Sequence, residues 1–462
     1  MRSLRARGAL LLPVALTLSC AIGCGRSCGP EGRAVASIDA EAPPALAAAA
    51  DGSPGAPGPE GPGPRSPAPD GPYNVVLITI DSLRADMPWA GYPRPIAPRL
   101  TELAGRSIQY TRAYSTSSFT SKSLPGLLTG KLPSSLARTG SFFTRYLSAD
   151  EFLCPHLAAE GIPCVAGHAH MYLAPGQSGF EAGFQTWKVV PGITFDYQTD
   201  PYVTSQKLTP LAIELLTAVA GAGDGGGDRP FFAWFHYMDP HDEYKGHEES
   251  PHFGKRARDL YDEEVFFTDL WVGKLLDFVG AQPWAKRTVT IVSADHGEAF
   301  GEHGMTRHAH EVWEELVHVP LLFHVPGLAP RTIATPRGHL DIAPTVAELL
   351  GARRVPALPG VSLARELFEP GVEPEERDVI VDLPEDEYNE RRRALVHGST
   401  KLIAFGADVR FALYDLEADP RESEDLVRKR PELASEMRRR YREASAKIPA
   451  VAPRGGIPKR DR

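Results

Sequence analysis

The apolar run Ile291-Val292-Ser293-Ala294 delivers Asp295 and His296 to its end, and Gly297 then breaks the strand pattern. A carboxylate beside an imidazole at a strand terminus offers one oxygen and one nitrogen to a single divalent cation. Taken alone, the dipeptide is more simply a turn with a capping Asp and a surface His. The whole string Ile291–Gly304 is rarer, because it adds Gly301, His303 and Gly304. A second acid closes another apolar run, Tyr73 to Ile80 followed by Asp81. That run suits a buried parallel strand with a functional residue at its carboxyl end. The competing reading of Asp81 is a helix N-cap after the strand.

The string Ile291–Gly304 resembles the sulfatase branch of the alkaline phosphatase superfamily, and further motifs extend the likeness over nearly all of residues 73–430. The segment TSKSLPGLLTGKLP aligns its Leu127-Leu128-Thr129-Gly130 and Pro133 with the family pattern, which puts Thr120 at the nucleophile position. GIPCVAGHAHMYL places His168 where the family has Lys and His170 where it has His. HYMDPHDEY matches a family turn whose His contacts substrate, here His241, with Asp239 two residues before it. RHAHEVWEELVHVPLLF resembles the segment in which His310, and less directly His308, would reach back over the metal. His236 is read as a satisfied core histidine and His318 as structural.

The resemblance implies a metal site of Asp81, Asp295, His296 and Thr120. It implies catalytic roles for Thr120, His170, His241 and His310, and substrate contacts from Lys122, His168, Asp239 and His308. For Lys122 a solvated surface lysine is the plainer reading. A helix N-terminus favours an anion, and a bound metal lowers a hydroxyl pKa, so Thr120 is chemically suited to attack. The departures matter as much. Ser82 stands where the family has a second acid, which makes an all-oxygen calcium cage a poorer fit. Mixed oxygen and nitrogen donors favour Mn²⁺ or Zn²⁺, with Ca²⁺ as the lesser option. One metal is preferred; a second, held by Asp239, His241 and His310, is the alternative. Thr120 cannot be oxidised to formylglycine, and the Pro and Arg that accompany that modification are replaced by Lys122 and Leu124. A direct Thr nucleophile tilts the chemistry towards phosphoryl transfer.

These residues need a scaffold. Strand patterns at 73–81, 162–166, 231–237, 288–293 and 321–325 alternate with helical patterns near 95–106, 121–130, 150–160, 263–279 and 342–350. That alternation predicts an α/β three-layer sandwich with a mostly parallel central sheet over 73–355, alkaline phosphatase-like by the resemblance. Short strand candidates at 378–381, 393–396, 401–405 and 411–414, then a charged amphipathic helix over 433–446, predict a small C-terminal antiparallel sheet with a covering helix, spanning 356–450. Residues 451–462 read as a disordered tail. The stretches 172–230 and 244–260 carry no legible motif. Cys154 and Cys164 fall in a predicted helix and the following strand; a disulfide and two isolated core thiols are both open.

The chain has 462 residues and a net charge of −9, so nothing global points to nucleic acid. Arg2, Arg5 and Arg7 precede an apolar run, Gly8 to Leu18, that is too short to span a bilayer. Ala21-Ile22-Gly23-Cys24 resembles a lipoprotein processing box with Cys24 acylated; Thr17-Leu18-Ser19-Cys20 is the weaker rival, and an ordinary cleaved leader the plainer one. Residues 25–72, rich in Pro, Gly and Ala, predict a disordered tether. The expectation is an exported enzyme, lipid-anchored in a periplasm or at a cell surface. It would act on a small-molecule, glycan or lipid ester of sulfate or phosphate. A phosphodiesterase or phosphoglycol transferase of the same superfamily, and a non-catalytic surface-binding relative, are the alternatives.

Overall fold

The central strand Asn74–Ile80 is buried along its whole length. Its unbroken apolar run is what a strand covered on both faces requires. In the computed structural model, which describes residues 71–194, 201–221 and 229–458, this strand sits inside an eight-stranded sheet. The spatial order is Arg331–Ile333, Ile108–Tyr110, Leu321–His324, Thr288–Ala294, Asn74–Ile80, Phe232–Tyr237, Cys164–His168, Thr186–Val189. Only Leu321–His324 runs antiparallel to its neighbours. The predicted leader, Cys24 and most of the tether lie outside the described residues.

Helices Pro98–Ala104, Ser205–Gly221 and Ala257–Gly280 pack together in one layer, and Thr120–Thr129, Leu153–Ala159 and Ile342–Leu349 in another. The helix Ser205–Gly221 falls in the stretch that carried no motif. Its buried positions Leu208, Ala212, Leu215 and Leu216 keep a helical period, but Leu211, Ile213 and Val219 between them and Pro210 within it blur the pattern. Cys154 and Cys164 are joined as a disulfide, with Cα atoms 6.1 Å apart, which settles the pairing left open by the sequence. Among the described residues no helix is long and apolar enough to cross a membrane.

Strands Val379–Leu383, Arg392–His397, Thr400–Phe405 and Arg410–Asp415 form an antiparallel sheet in chain order. Alternation decides its two faces. Ala394, Val396 and Ile403 pack with Tyr114, Val312 and Leu316 of the main body. Leu395, Leu402 and Leu413 pack with Ala434, Met437 and Tyr441 of the helix Pro431–Ala446. The disordered tail is corrected in part. Arg138 donates to the Val451 carbonyl and Arg454 N to the Arg138 carbonyl, so residues 451–454 lie along the 134–139 loop. Each contact replaces a backbone–water bond that a free tail would keep. Residues 459–462 lie outside the described residues.

Candidate active site

Parallel pairing sets the height of the two acids. Ile80 is in register with Ala294 on one side and Tyr237 on the other. Asp81 and Asp295 therefore leave adjacent strands at the same level, in the crevice beyond the carboxyl ends where α/β sheets bind ligands. Gly297 permits the turn after them, since a Cβ there would stand 2.1 Å from the Glu315 carbonyl oxygen.

Thr120 is brought in by the helix Thr120–Thr129, all of whose residues are buried. The N-cap is Phe119, so Thr120 is the first helical residue rather than the cap. Its side chain is thereby released to face the acids. Pro125 cannot bond the Ser121 carbonyl four residues back; Tyr146 Oη donates to that carbonyl instead, at 2.9 Å. Gly126 lets the helix lie directly on Thr116, where a Cβ would meet Cγ2 at 2.3 Å.

Thr120 Oγ1 lies 3.1 Å from Asp81 Oδ2 and 3.1 Å from His296 Nε2. His296 Nε2 lies 3.4 Å from Asp295 Oδ2. His296 Nδ1 pairs with its neighbour's carbonyl, Gly297 O, at 2.9 Å. That assignment puts the ring proton on Nδ1 and turns the Nε2 lone pair towards the acids. Ligand atoms of Asp81, Asp295 and His296 all lie within 4.8 Å of one another. Asp295 Oδ2 has no hydrogen-bond partner. Burial, then the neighbouring Asp81 carboxylate, pushes Asp295 well above the usual range. Burial also opposes charge on Asp81, but the imidazoles of His241, His236 and His296 hold it well below that range. Two such carboxylates with an orphaned oxygen and an imidazole lone pair form a donor set that fits one divalent cation.

The match of the Sulfatase family model to residues 73–352 decides the classification. The chain belongs to the sulfatase family. It is 26% identical to an ulvan-active sulfatase of Formosa agariphila over 67% of this chain and 68% of that one. It is 25% identical to a choline-sulfatase of Rhizobium meliloti over 77% of this chain and 82% of that one. The crystal structure of a phosphonate monoester hydrolase of Agrobacterium radiobacter shares the fold, with a TM-score of 0.61 and 17% identity over 82% of this chain and 96% of that one.

Around the acids this sulfatase-family hydrolase gathers a ring of histidines. The His308 ring centroid lies 4.3 Å from that of His296 and 5.2 Å from that of His241. His170 stands 6.4 Å from His241, and its Nδ1 accepts from Tyr172 N. Burial and the nearby His241 push His170 down to about 3. Burial also works against charge on His308, yet the Glu298 carboxylate, 3.2 Å from Nδ1, holds its pKa above the ordinary value.

His308 rather than His310 thus covers the site. The two residues flanking His308, Arg307 and Ala309, both have positive φ, which turns its ring inward. His310 points away and pairs with Asn389 Oδ1 at 2.6 Å. Asp239 is also corrected. Its carboxylate accepts from Thr204 N, Thr204 Oγ1 and Ser205 N, so it is spent on the start of the helix Ser205–Gly221. With Asp239 and His310 elsewhere, the proposed second-metal trio with His241 is not assembled. His168 is wedged between Trp187 and Trp234, with centroids 4.1 and 4.5 Å away, and belongs to the core.

His236 is the residue the sequence reading misplaced in the opposite direction. Trp234 Nε1 donates to Thr79 Oγ1, whose hydroxyl faces His236 Nδ1 at 2.8 Å. The ring therefore presents Nε2 to Asp81 Oδ2, 3.3 Å away. The signal was available: residue 236 lies opposite Thr79, two positions before Asp81, once the strands are paired.

Lys122 is neither solvated nor in the site. Its ammonium donates to the carbonyls of Ser141 and Phe142, and stands 3.3 Å from the buried Asp386 carboxylate. Burial pushes it down to about 8. Replacing it (Lys122→Met) strands the Asp386 charge, so urea unfolding should show a loss of about 3 kcal/mol. A change under about 0.5 kcal/mol would restore the surface-lysine reading.

Proposed function

We propose that this hydrolase cleaves an ester of sulfate or phosphate with Thr120 as the nucleophile, assisted by a divalent cation held by Asp81, Asp295, His296 and Thr120. The observation that carries the reading is the Thr120 hydroxyl at 3.1 Å from both Asp81 and His296, on the first turn of a buried helix. The cation, when bound, would supply charge neutralisation and acidify the hydroxyl. The chain's own groups do the rest. Asp81 Oδ2 accepts the hydroxyl hydrogen bond and aligns the Thr120 oxygen. His236, fixed through Thr79 and Trp234, keeps Asp81 in that orientation. Thr120 Oγ1 passes its proton to Asp81 Oδ2 and attacks phosphorus or sulfur, the bond from that centre to the leaving oxygen breaks, and a Thr120 ester forms. His308 holds a proton at the mouth of the site for the departing oxygen, with His241 and His170 beside the equatorial oxygens. Water then hydrolyses the ester.

Thr120 favours phosphoryl over sulfuryl transfer. An aldehyde hydrate carries a second hydroxyl that can expel a bound anion, whereas a threonine ester must be attacked by water at the central atom. Turnover of nitrophenyl phosphate, bis-nitrophenyl phosphate and nitrophenyl sulfate by the purified enzyme with Mn²⁺ or Zn²⁺ tests this. Exclusive sulfate ester cleavage would reverse the preference, and no turnover of any ester by metal-loaded protein would favour a binding role.

His308 gives a pH signature. Its folded pKa lies above the ordinary value, so it keeps its proton up to that raised pKa, and the rate falls as pH rises through it. Glu298→Gln removes the strongest group that raises it and leaves burial, which lowers it, opposed only by the weaker pull of Asp81 and Asp242. The alkaline limb of the kcat/KM profile should move down by about one unit or more. An unmoved limb would remove His308 as the proton holder.

A further inference from the structure

Beyond the acids of the active site, one other group among the described residues has metal-ligand spacing. Ligand atoms of His303, Glu315 and Glu422 lie within 4.8 Å of one another. They sit beside a cavity of about 700 Å³ whose walls include Arg84, His303, Glu314 and Glu315. Of the neighbouring cations, one is committed outside the trio and one is shared with Glu422. Arg84 engages Asp86 and Glu302. Lys401 is shared between Glu314 and Glu422, at 3.0 and 2.9 Å. Glu422 also accepts from Glu314 N at 2.6 Å. Glu315 is the exception. Its side chain is 6% exposed, yet Oε1 has no hydrogen-bond partner, and its nearest imidazole nitrogen, His303 Nε2, is 3.9 Å from Oε2. A buried carboxylate oxygen without a partner carries a large desolvation cost.

The aim of the other two side chains is also built in. His303 and Glu422 both adopt φ of 52°, the left-handed region that non-glycine residues seldom occupy. The His303 ring stacks on Trp313 at 4.0 Å, which fixes its plane. Burial pushes Glu315 up, and it pushes Glu422 up to about 7 against the opposing pull of Lys401.

We propose that His303, Glu315 and Glu422 hold a second divalent cation, distinct from the catalytic one, which ties the loop 295–304 to the turn that follows the C-terminal sheet. One imidazole and two carboxylates suit a borderline ion of the Zn²⁺ type. The three side chains must draw in from their present spacing, within 4.8 Å of one another, to meet such an ion, and the open cavity provides entry and room for water as a fourth ligand. The location gives the ion a purpose. The same loop begins with Asp295 and His296, so anchoring its far end at His303 restrains the catalytic ligands from behind.

The test uses the full chain, stripped by chelator, equilibrated with Zn²⁺ alone and analysed for bound metal after desalting. In an Asp295→Asn background, which disables the catalytic donor set, one equivalent should remain. Adding Glu315→Gln, or separately His303→Asn, should bring it to none. The melting temperature of Asp295→Asn should rise by roughly several degrees with saturating Zn²⁺, and that rise should vanish in both double variants. His303→Asn, on a side chain 17% exposed at the cavity wall, keeps the test alive if Glu315→Gln fails to fold. Asp295→Asn protein holding no Zn²⁺, or double variants still holding one equivalent, would overturn the site. A parent chain with one equivalent that Glu315→Gln removes would uphold this site and sink the catalytic one.

Discussion

Thr120→Ala should lose turnover almost completely, with kcat/KM down about 10⁴-fold or more on whichever ester the parent cleaves best. The Thr120 oxygen is the only group on the first turn of its helix that approaches both Asp81 and His296 at hydrogen-bond distance among the described residues. Nothing in its packing explains the residue type. The helix is capped by Phe119 without side-chain help, and its internal gap at Pro125 is closed by Tyr146. Removing the hydroxyl should therefore cost stability only about 1 kcal/mol, the worth of a hydrogen bond. Thr120→Ser should keep measurable activity, because the oxygen survives. The decisive measurement pairs initial rates with urea denaturation. An alanine variant that is folded and still within tenfold of the parent would end the nucleophile assignment.

Asp295→Asn should separate stability from activity in the opposite direction. In the metal-free chain Asp295 is a liability, since burial and the Asp81 carboxylate both oppose its charge. The amide removes that repulsion at nearly constant shape, so the stripped variant should resist urea at least as well as the stripped parent. Its catalysis should nevertheless fall by several kcal/mol of transition-state stabilisation, on the order of 10³-fold. Stoichiometric metal should bind the parent at this site and not the variant. Activity retained without the metal would remove the cation from the mechanism, and marked destabilisation of the stripped variant would mean that Asp295 is structural.

Thr120 was put forward by the family resemblance, whereas the two acids are announced by their local pattern. Asp81 and Asp295 end apolar runs that only a doubly covered strand accommodates, and a strand of that kind must open at its carboxyl end. The C-terminal sheet was legible for a related reason. Its alternating residues divide between two clusters, as a period of two requires. The helix Ser205–Gly221 was not legible, because its burial is set by partners distant in sequence and its own pattern is blunted.

The histidines show where local reading stops. His168, His170, His236, His241, His308 and His310 lie near strand ends or turns, and nothing in the string tells which way each ring faces. His308 turns inward because positive φ on both sides rotates the backbone, while His310, two residues on, finds Asn389. His236 serves Asp81 because parallel pairing sets it opposite Thr79. Asp239 is lost to a helix start that was itself unseen. Periodicity determined the fold class and the strand ends, and the resemblance to the sulfatase family supplied Asp81, Thr120, Asp295 and His296 as candidates. The tertiary structure decided which imidazoles and carboxylates face those four, because orientation depends on strand register and on backbone angles, and both are fixed by contacts between segments far apart in the chain.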